Sequence, residues 1–277
     1  MSSKKDLAKI EKKETGVTKF DYGEDAGDGF QNMDANDYQV PYLNLLQALS
    51  KYCPGQDGEG EVEGAKVGAL MNSVTLEVYP ESIEFVPCYR EKACVEWVDQ
   101  DHGGGFVARH EMGCDLHMKA LAKAGTRFGK LKNPDDDTHD LVETVYIFGL
   151  IVKPCGAIEE IVAPFSGSKL KVHRAWNTKI GAVTVKVGDR KVKPPVYGHL
   201  VRLGVFDDTQ KKTGKKFKNY TIEPAKGDLI DSLIPTDSEL YAKARAFKEL
   251  VAAGTAQLDD EERGGKAEPN EDGGGNF

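Results

Sequence analysis

Hydrophobic positions along this chain fall into short runs separated by turn residues, a pattern that predicts many brief strands. VGALMNSVTLEVY, SIEFVPCYREKACVEWV and GGGFVARHE are rich in Val, Ile, Phe and Tyr. ETVYIFGLIVK is the strongest candidate for a buried strand, and AIEEIVAPF follows it. GAVTVKVGDRKVK reads as a hairpin around a Gly-Asp turn. VYGHLVRLGVFDD and KKFKNYTIEP read as a strand pair around the lysine-rich TQKKTGKK. Two segments carry a helical period. DLHMKALAKAG fits a short helix. PTDSELYAKARAFKELVAAG repeats Leu240, Ala244, Phe247 and Val251, with Thr236 or Asp237 to cap it, Glu239 in a capping box and Gly254 to end it. DYQVPYLNLLQALSKY fits a strand or a short helix, and SKLKVHRAWNTKIG fits a helical stripe or irregular alternation. CPGQDGEGEVEG and NPDDDTHD are loops.

Many short strands with turn signals predict a mainly β fold, a barrel or a sandwich. The expected division is a flexible arm over 1–37, a β-rich core over 38–234, a helix over 235–254 and a disordered acidic tail over 255–277. The chain has 277 residues, 39 % hydrophobic and 30 % charged, which suits a globular core with polar extensions. No apolar run approaches the roughly 20 residues of a membrane span, and MSSKKDLAKIEKKETG has no apolar stretch of the secretory kind. A cytoplasmic protein with no membrane partner is therefore expected. Cys53, Cys88, Cys94, Cys114 and Cys155 form no CxxC pair, so reduced thiols are expected.

Charge changes the picture. The net charge is −8, yet residues 169–218 hold 14 Lys or Arg and only three acids. Aromatic residues interleave this block: Trp176, Tyr197, Phe206, Phe217 and Tyr220, with His173 and His199 beside them. Cations meet phosphates and release counterions, and rings give bases a surface to stack on. The plainer reading is a solvated lysine-rich face with its aromatics in the core. The density of positive charge in an otherwise acidic chain favours a polyanion site. The last 19 residues hold seven acids and two bases and end on Phe277. An acidic, glycine-rich segment of this kind buries too little apolar surface to fold. An aromatic ring beside a free carboxylate forms a compact element for a basic-rimmed pocket on a partner. The same tail can compete with nucleic acid for the protein's own cations.

SGSKLKVHRAWNTKIGAVTVKV, together with the acidic tail ending in Phe277, resembles the bacteriophage single-stranded DNA-binding proteins of short-tailed coliphages. The likeness covers about forty residues by this count of motif and tail. The HR insert is shorter than in that family, and glycines stand where its tail has carboxylates. The resemblance implies an OB-like barrel with inserted loops and short helices that binds single-stranded DNA. It also implies a homodimer and a tail that docks phage DNA polymerase and helicase-primase in the host cytoplasm. Lys169, Lys171 and Trp176 match by position. Around them, the expected DNA contacts are Arg174, Lys179, Lys191, Lys193, Tyr197, Lys211, Lys212, Lys215, Lys216 and Tyr220. The expected partner contacts are Asp259, Asp260, Glu261, Glu262, Glu271, Asp272 and Phe277.

Other chemistry finds weaker signals. HEMGCDLH places His110, Cys114 and His117 within one turn of chain, three donors that suit zinc, but no second paired spacing completes a site. No cofactor is expected. The chain has no GxxxxGK[ST], HExxH or GxSxG. Asp135, Asp136, Asp137 and Asp140 form a contiguous acidic loop, whereas two-metal catalysis needs carboxylates that converge in space. The expectation is a binding protein and not an enzyme. A strand-annealing recombination protein and a virion or scaffolding protein are the rival readings.

Overall fold

The computed structural model describes residues 39–48, 50–54, 60–79, 82–125, 131–210 and 214–258. The arm expected over 1–37 and the tail from 259 onward lie outside these residues. Strands β1 (Gln39–Val40), β2 (Leu43–Leu45), β3 (Leu70–Asn72) and β4 (Val78–Tyr79) open the chain. They are followed by β5 (Ile83–Val98), β6 (Gly105–Glu111), helix α1 (Asp115–Ala124), β7 (Leu131–Lys132), β8 (His139–Val152) and β9 (Ile158–Ser166). Helix α2 (Lys169–Gly181) leads into β10 (Val185–Val187) and β11 (Arg190–Val192). Strands β12 (Val201–Thr209) and β13 (Lys216–Pro224), helix α3 (Glu239–Ala252) and β14 (Gln257–Leu258) complete the fold. The architecture is mainly β, as the hydrophobic pattern predicts.

The long strands β5 and β8 pair antiparallel from Glu84–Val152 to Val98–His139. At one end the sheet widens through β12 and β13 on one side and β9 on the other. At the opposite end β6 and β7 flank the same central pair. The expected OB-like barrel is corrected here, because the sheet stays open. Segment 41–47 covers the two edges that closure would have to join. The Gln47 amide exchanges two hydrogen bonds with the Lys218 backbone on β13, both 3.0 Å. Val162 of β9 donates its N–H to the Pro41 carbonyl at 2.9 Å. Edges satisfied in this way have no call on each other.

Both faces of the sheet are buried, which explains why β8 reads as a continuous apolar run. One face carries Val86, Cys88, Ala93, Val95, Tyr146, Phe148 and Leu150 beneath Ala244, Phe247 and Val251 of α3. The other carries Ile83, Phe85, Val145, Ile147 and Ile151 beneath Leu170, Trp176 and Ile180 of α2, with Leu43, Leu45 and Leu70 from β2 and β3. Farther along that second face, α1 covers Cys94, Leu131 and Leu141 with Ala120. The register shifts between Pro87 and Tyr89. The extra residue flips the parity of everything after it. Val86 lies under α3 before the shift, and Ala93 and Val95 lie there after it. Gly149 is required beside this bulge, because a Cβ there would meet the Phe85 ring and the Val86 carbonyl at 2.3 and 2.5 Å.

Two boundaries differ from the pattern. Ser238 caps α3, its hydroxyl accepting from the Tyr241 N–H at 3.2 Å, in place of Thr236 or Asp237. Order also continues past Gly254. Strand β14 pairs in parallel with β1, and Ala256 and Leu258 bury against the α3-side core, so residues 255–258, expected in the tail, belong to the folded core. Among the described residues no helix is long and apolar enough to cross a membrane.

Candidate nucleic-acid interface

Helix α2 settles the ambiguity of SKLKVHRAWNTKIG. Leu170, His173, Trp176 and Ile180 recur at helical spacing and all four are buried. That stripe turns Lys171, Arg174 and Lys179 toward solvent. The helix holds four cations and no acid, and two of them, Lys169 and Lys171, occupy its first turn. The amide dipoles already make that end positive, so cations there destabilise the helix. Lys169 is half-buried, with its Nζ 5.5 Å from the centre of the Tyr220 ring.

Two of the three expected stacking rings are corrected by their burial. Trp176 is 4 % exposed and Tyr220 1 %. Trp176 packs edge-on to His199 at 6.4 Å. Tyr220 lies 5.0 Å from the Phe165 ring and donates its hydroxyl to the Leu43 carbonyl at 3.3 Å. Neither offers a free face, since both complete the core under α2. Tyr197 is half-buried and packs on Tyr241 of α3 at 5.4 Å. His173 and His199 are buried as well. Phe217 is half-buried, whereas Phe206, on the outward side of β12, is 39 % exposed. Burial is the signal that separates these rings, and local sequence does not carry it.

Two ribbons extend the cationic surface. Hairpin β10–β11 turns through Gly188, whose φ of 59° opens the predicted Gly-Asp turn. It exposes Lys186, Arg190 and Lys191, and Lys193 follows it. The β12–β13 hairpin outruns its pairing with β5, which ends at Leu203. Its far end exposes Lys215 and Lys216, and Lys218 pairs with Asp207 at 2.8 Å. Lys211 and Lys212 lie outside the described residues. So do Asp259, Asp260, Glu261, Glu262, Glu271, Asp272 and Phe277. Among the described residues, Lys171, Lys179, Lys186, Arg190, Lys191, Lys193 and Lys216 form no ion pair.

The sequence reading missed Arg90 and Lys92. Both are exposed on β5, after the bulge, and therefore on the face that carries α2. Lys92 reaches Glu143 of β8 at 3.1 Å. The available signal was a charged pair two apart inside an apolar strand, CYREKAC. Their effect registers on His173, which burial first, and then Arg90, Lys92 and Arg174, push down to about 4. A neutral imidazole beneath three cations gives this part of the sheet a positive rim.

The zinc donors do not converge. His110, on β6, places Nε2 at 2.8 Å from Glu96 Oε2. Cys114 sits at the N-terminus of α1. His117 is buried on α1 and its Nδ1 accepts the Gly113 N–H at 3.1 Å. Among the described residues no group of three or more His, Cys, Asp or Glu is placed to hold a metal. Glu96 instead gathers His110, His139 Nδ1 at 2.7 Å and Asn133 Nδ2 at 2.6 Å. Burial alone would raise its carboxyl, and these hydrogen bonds more than offset that and hold it below the ordinary range. The acidic loop likewise does not converge: Asp135, Asp136 and Asp137 are exposed, while Asp140 enters β8 and pairs with Lys132 at 3.0 Å.

A family model described as Pam3 phage gp34-like protein matches residues 11–257. No curated protein and no solved structure matches the chain.

Proposed function

The chain belongs to the Pam3 phage gp34-like family, and from that phage origin we propose that it binds single-stranded DNA without sequence preference during phage replication and recombination. The observation that carries this reading is α2. Its four cations have no acid among them, and two sit where the helix dipole makes them costly. A phosphate backbone recovers that cost. Lys171, Arg174 and Lys179 would take phosphates, with Arg90 beside them and Lys215 and Lys216 at the far ribbon. With Trp176 and Tyr220 in the core, Phe206 is the most exposed ring of the block and the one we propose to stack a base. The protein then acts by binding and not by catalysis, in the host cytoplasm. Its acidic C-terminal segment serves contacts with polymerase and helicase-primase.

The test is anisotropy of labelled poly-dT and matched duplex, titrated at several salt concentrations. Preference for the single strand is expected, with log affinity falling by about 0.7 per neutralised phosphate for each tenfold rise in salt. No binding to any DNA would overturn the reading in favour of a virion or scaffolding role. A ring of many subunits formed on the strand would shift it toward annealing.

A further inference from the structure

Among the described residues hairpin β10–β11 pairs with no other strand, which leaves both its edges open there. A lone two-stranded hairpin is marginal in water, and this one places Lys186 directly opposite Lys191. Like charges in that position destabilise the pair. Guarding an open edge explains the presence of charge, but alternating signs would guard it equally well without the repulsion. Asp189, in the turn, is the hairpin's one acid.

The register sorts the ribbon into two faces. Directly opposed residues share a face, so Lys186 and Lys191 lie on one, and Val185, Val187, Arg190 and Val192 on the other. Val187 is 60 % exposed and Val192 39 %. No aromatic residue stands on either face, so the ribbon has nothing on which to stack an unpaired base. It has what a groove requires: two-stranded width, cations for flanking phosphates and a small apolar face for the sugar and base edges. The major groove of DNA admits a two-stranded ribbon.

We propose that β10–β11 is an arm that seats in a groove of duplex DNA, so that the protein occupies junctions between single and double strand. The junction rests on the single-strand reading, and the duplex contact does not. Lys186 and Lys191 meet phosphates, and Val187 leads at the tip.

The experiment compares three probes: a single strand, a blunt duplex, and that duplex carrying the same single strand as a tail. The wild-type protein should bind the tailed duplex about tenfold tighter than the single strand alone. Lys186→Glu should bring the ratio of tailed-duplex to single-strand affinity down to about one, and that ratio, not the single-strand affinity, is the readout. Because this substitution places opposite charges across the ribbon, its melting temperature should hold or rise, which separates lost binding from lost folding. Lys186→Gln with Lys191→Gln should repeat the loss. Equal wild-type affinity for tailed and untailed strands would overturn the arm while leaving the single-strand reading intact. Duplex binding that the ribbon variants abolish, without any single-strand binding, would uphold the arm and remove the single-strand reading.

Discussion

Helices α2 and α3 cover opposite faces of one sheet by the same rule, yet their outer sides differ. Each buries an apolar stripe, Leu170, Trp176 and Ile180 in one and Ala244, Phe247 and Val251 in the other. The solvent side of α3 pairs two of its three cations within the helix. Lys243 pairs with Glu239 at 2.9 Å and Arg245 with Glu249 at 3.1 Å, both one turn apart. Glu239 in its first turn also suits the helix dipole. The solvent side of α2 contains no acid of its own to make such pairs, and its first turn is cationic. Packing accounts for α3 completely. It accounts for only the inner half of α2, and the outer half is where the proposed phosphate contacts would fall.

That contrast can be broken most forcefully at the inner stripe. Trp176→Ala should cost about 3–5 kcal/mol in a urea titration, because a buried indole leaves a large cavity. If the variant instead keeps its stability and loses DNA, Trp176 is a stacking residue and the division of α2 into two sides fails. Next in size is the outer side. Removing Lys171, Arg174 and Lys179 together should weaken poly-dT binding roughly a hundredfold near 0.1 M salt, about fivefold per lost phosphate contact, and flatten the salt slope. Arg245→Ala on α3 is the control and should leave affinity unchanged.

Acidification sharpens the comparison from below. His173 is neutral when folded, with a folded pKa of about 4 against an ordinary 6.5. The unfolded chain therefore binds the extra proton first, and stability falls as pH drops through the window from about 6.5 to about 4. Chemical denaturation should show a loss on the order of 2 kcal/mol across that window, and His173→Gln should shrink it, leaving the share of His199, whose pKa burial also lowers. No such loss would mean that His173 is not held neutral in the core beneath α2. The smallest effect belongs to Lys171→Glu, which should stabilise the protein by roughly 0.3–1 kcal/mol by reversing the unfavourable charge at the helix start. The same change should weaken DNA binding. A residue that costs stability and supplies affinity marks a binding surface, whereas a fall in both would make Lys171 structural.

Local pattern made much of this molecule legible. The strand runs, the Gly-Asp hairpin, the α3 stripe and the cationic block are all properties of neighbouring residues, and the fold keeps them. The misreadings share one origin. Trp176 and Tyr220 lie among lysines in the sequence, but a ring's neighbours in space come from other strands. Leu43 and Phe165 claim Tyr220, and His199 claims one edge of Trp176. Arg90 and Lys92 lie about eighty residues before the basic block and join its face only because the bulge at Pro87–Tyr89 reverses the alternation. Barrel closure was equally illegible, since Gln47 and Pro41 cap the sheet edges from remote parts of the chain.

The sequence by itself determined most of the strands, helices α1 and α3 and where positive charge concentrates, because periodicity and charge are carried residue by residue. Tertiary structure alone decided which face each side chain meets, whether the sheet closes, and which rings stay exposed. Those outcomes depend on a one-residue register shift and on contacts between distant segments, and neither leaves a local trace.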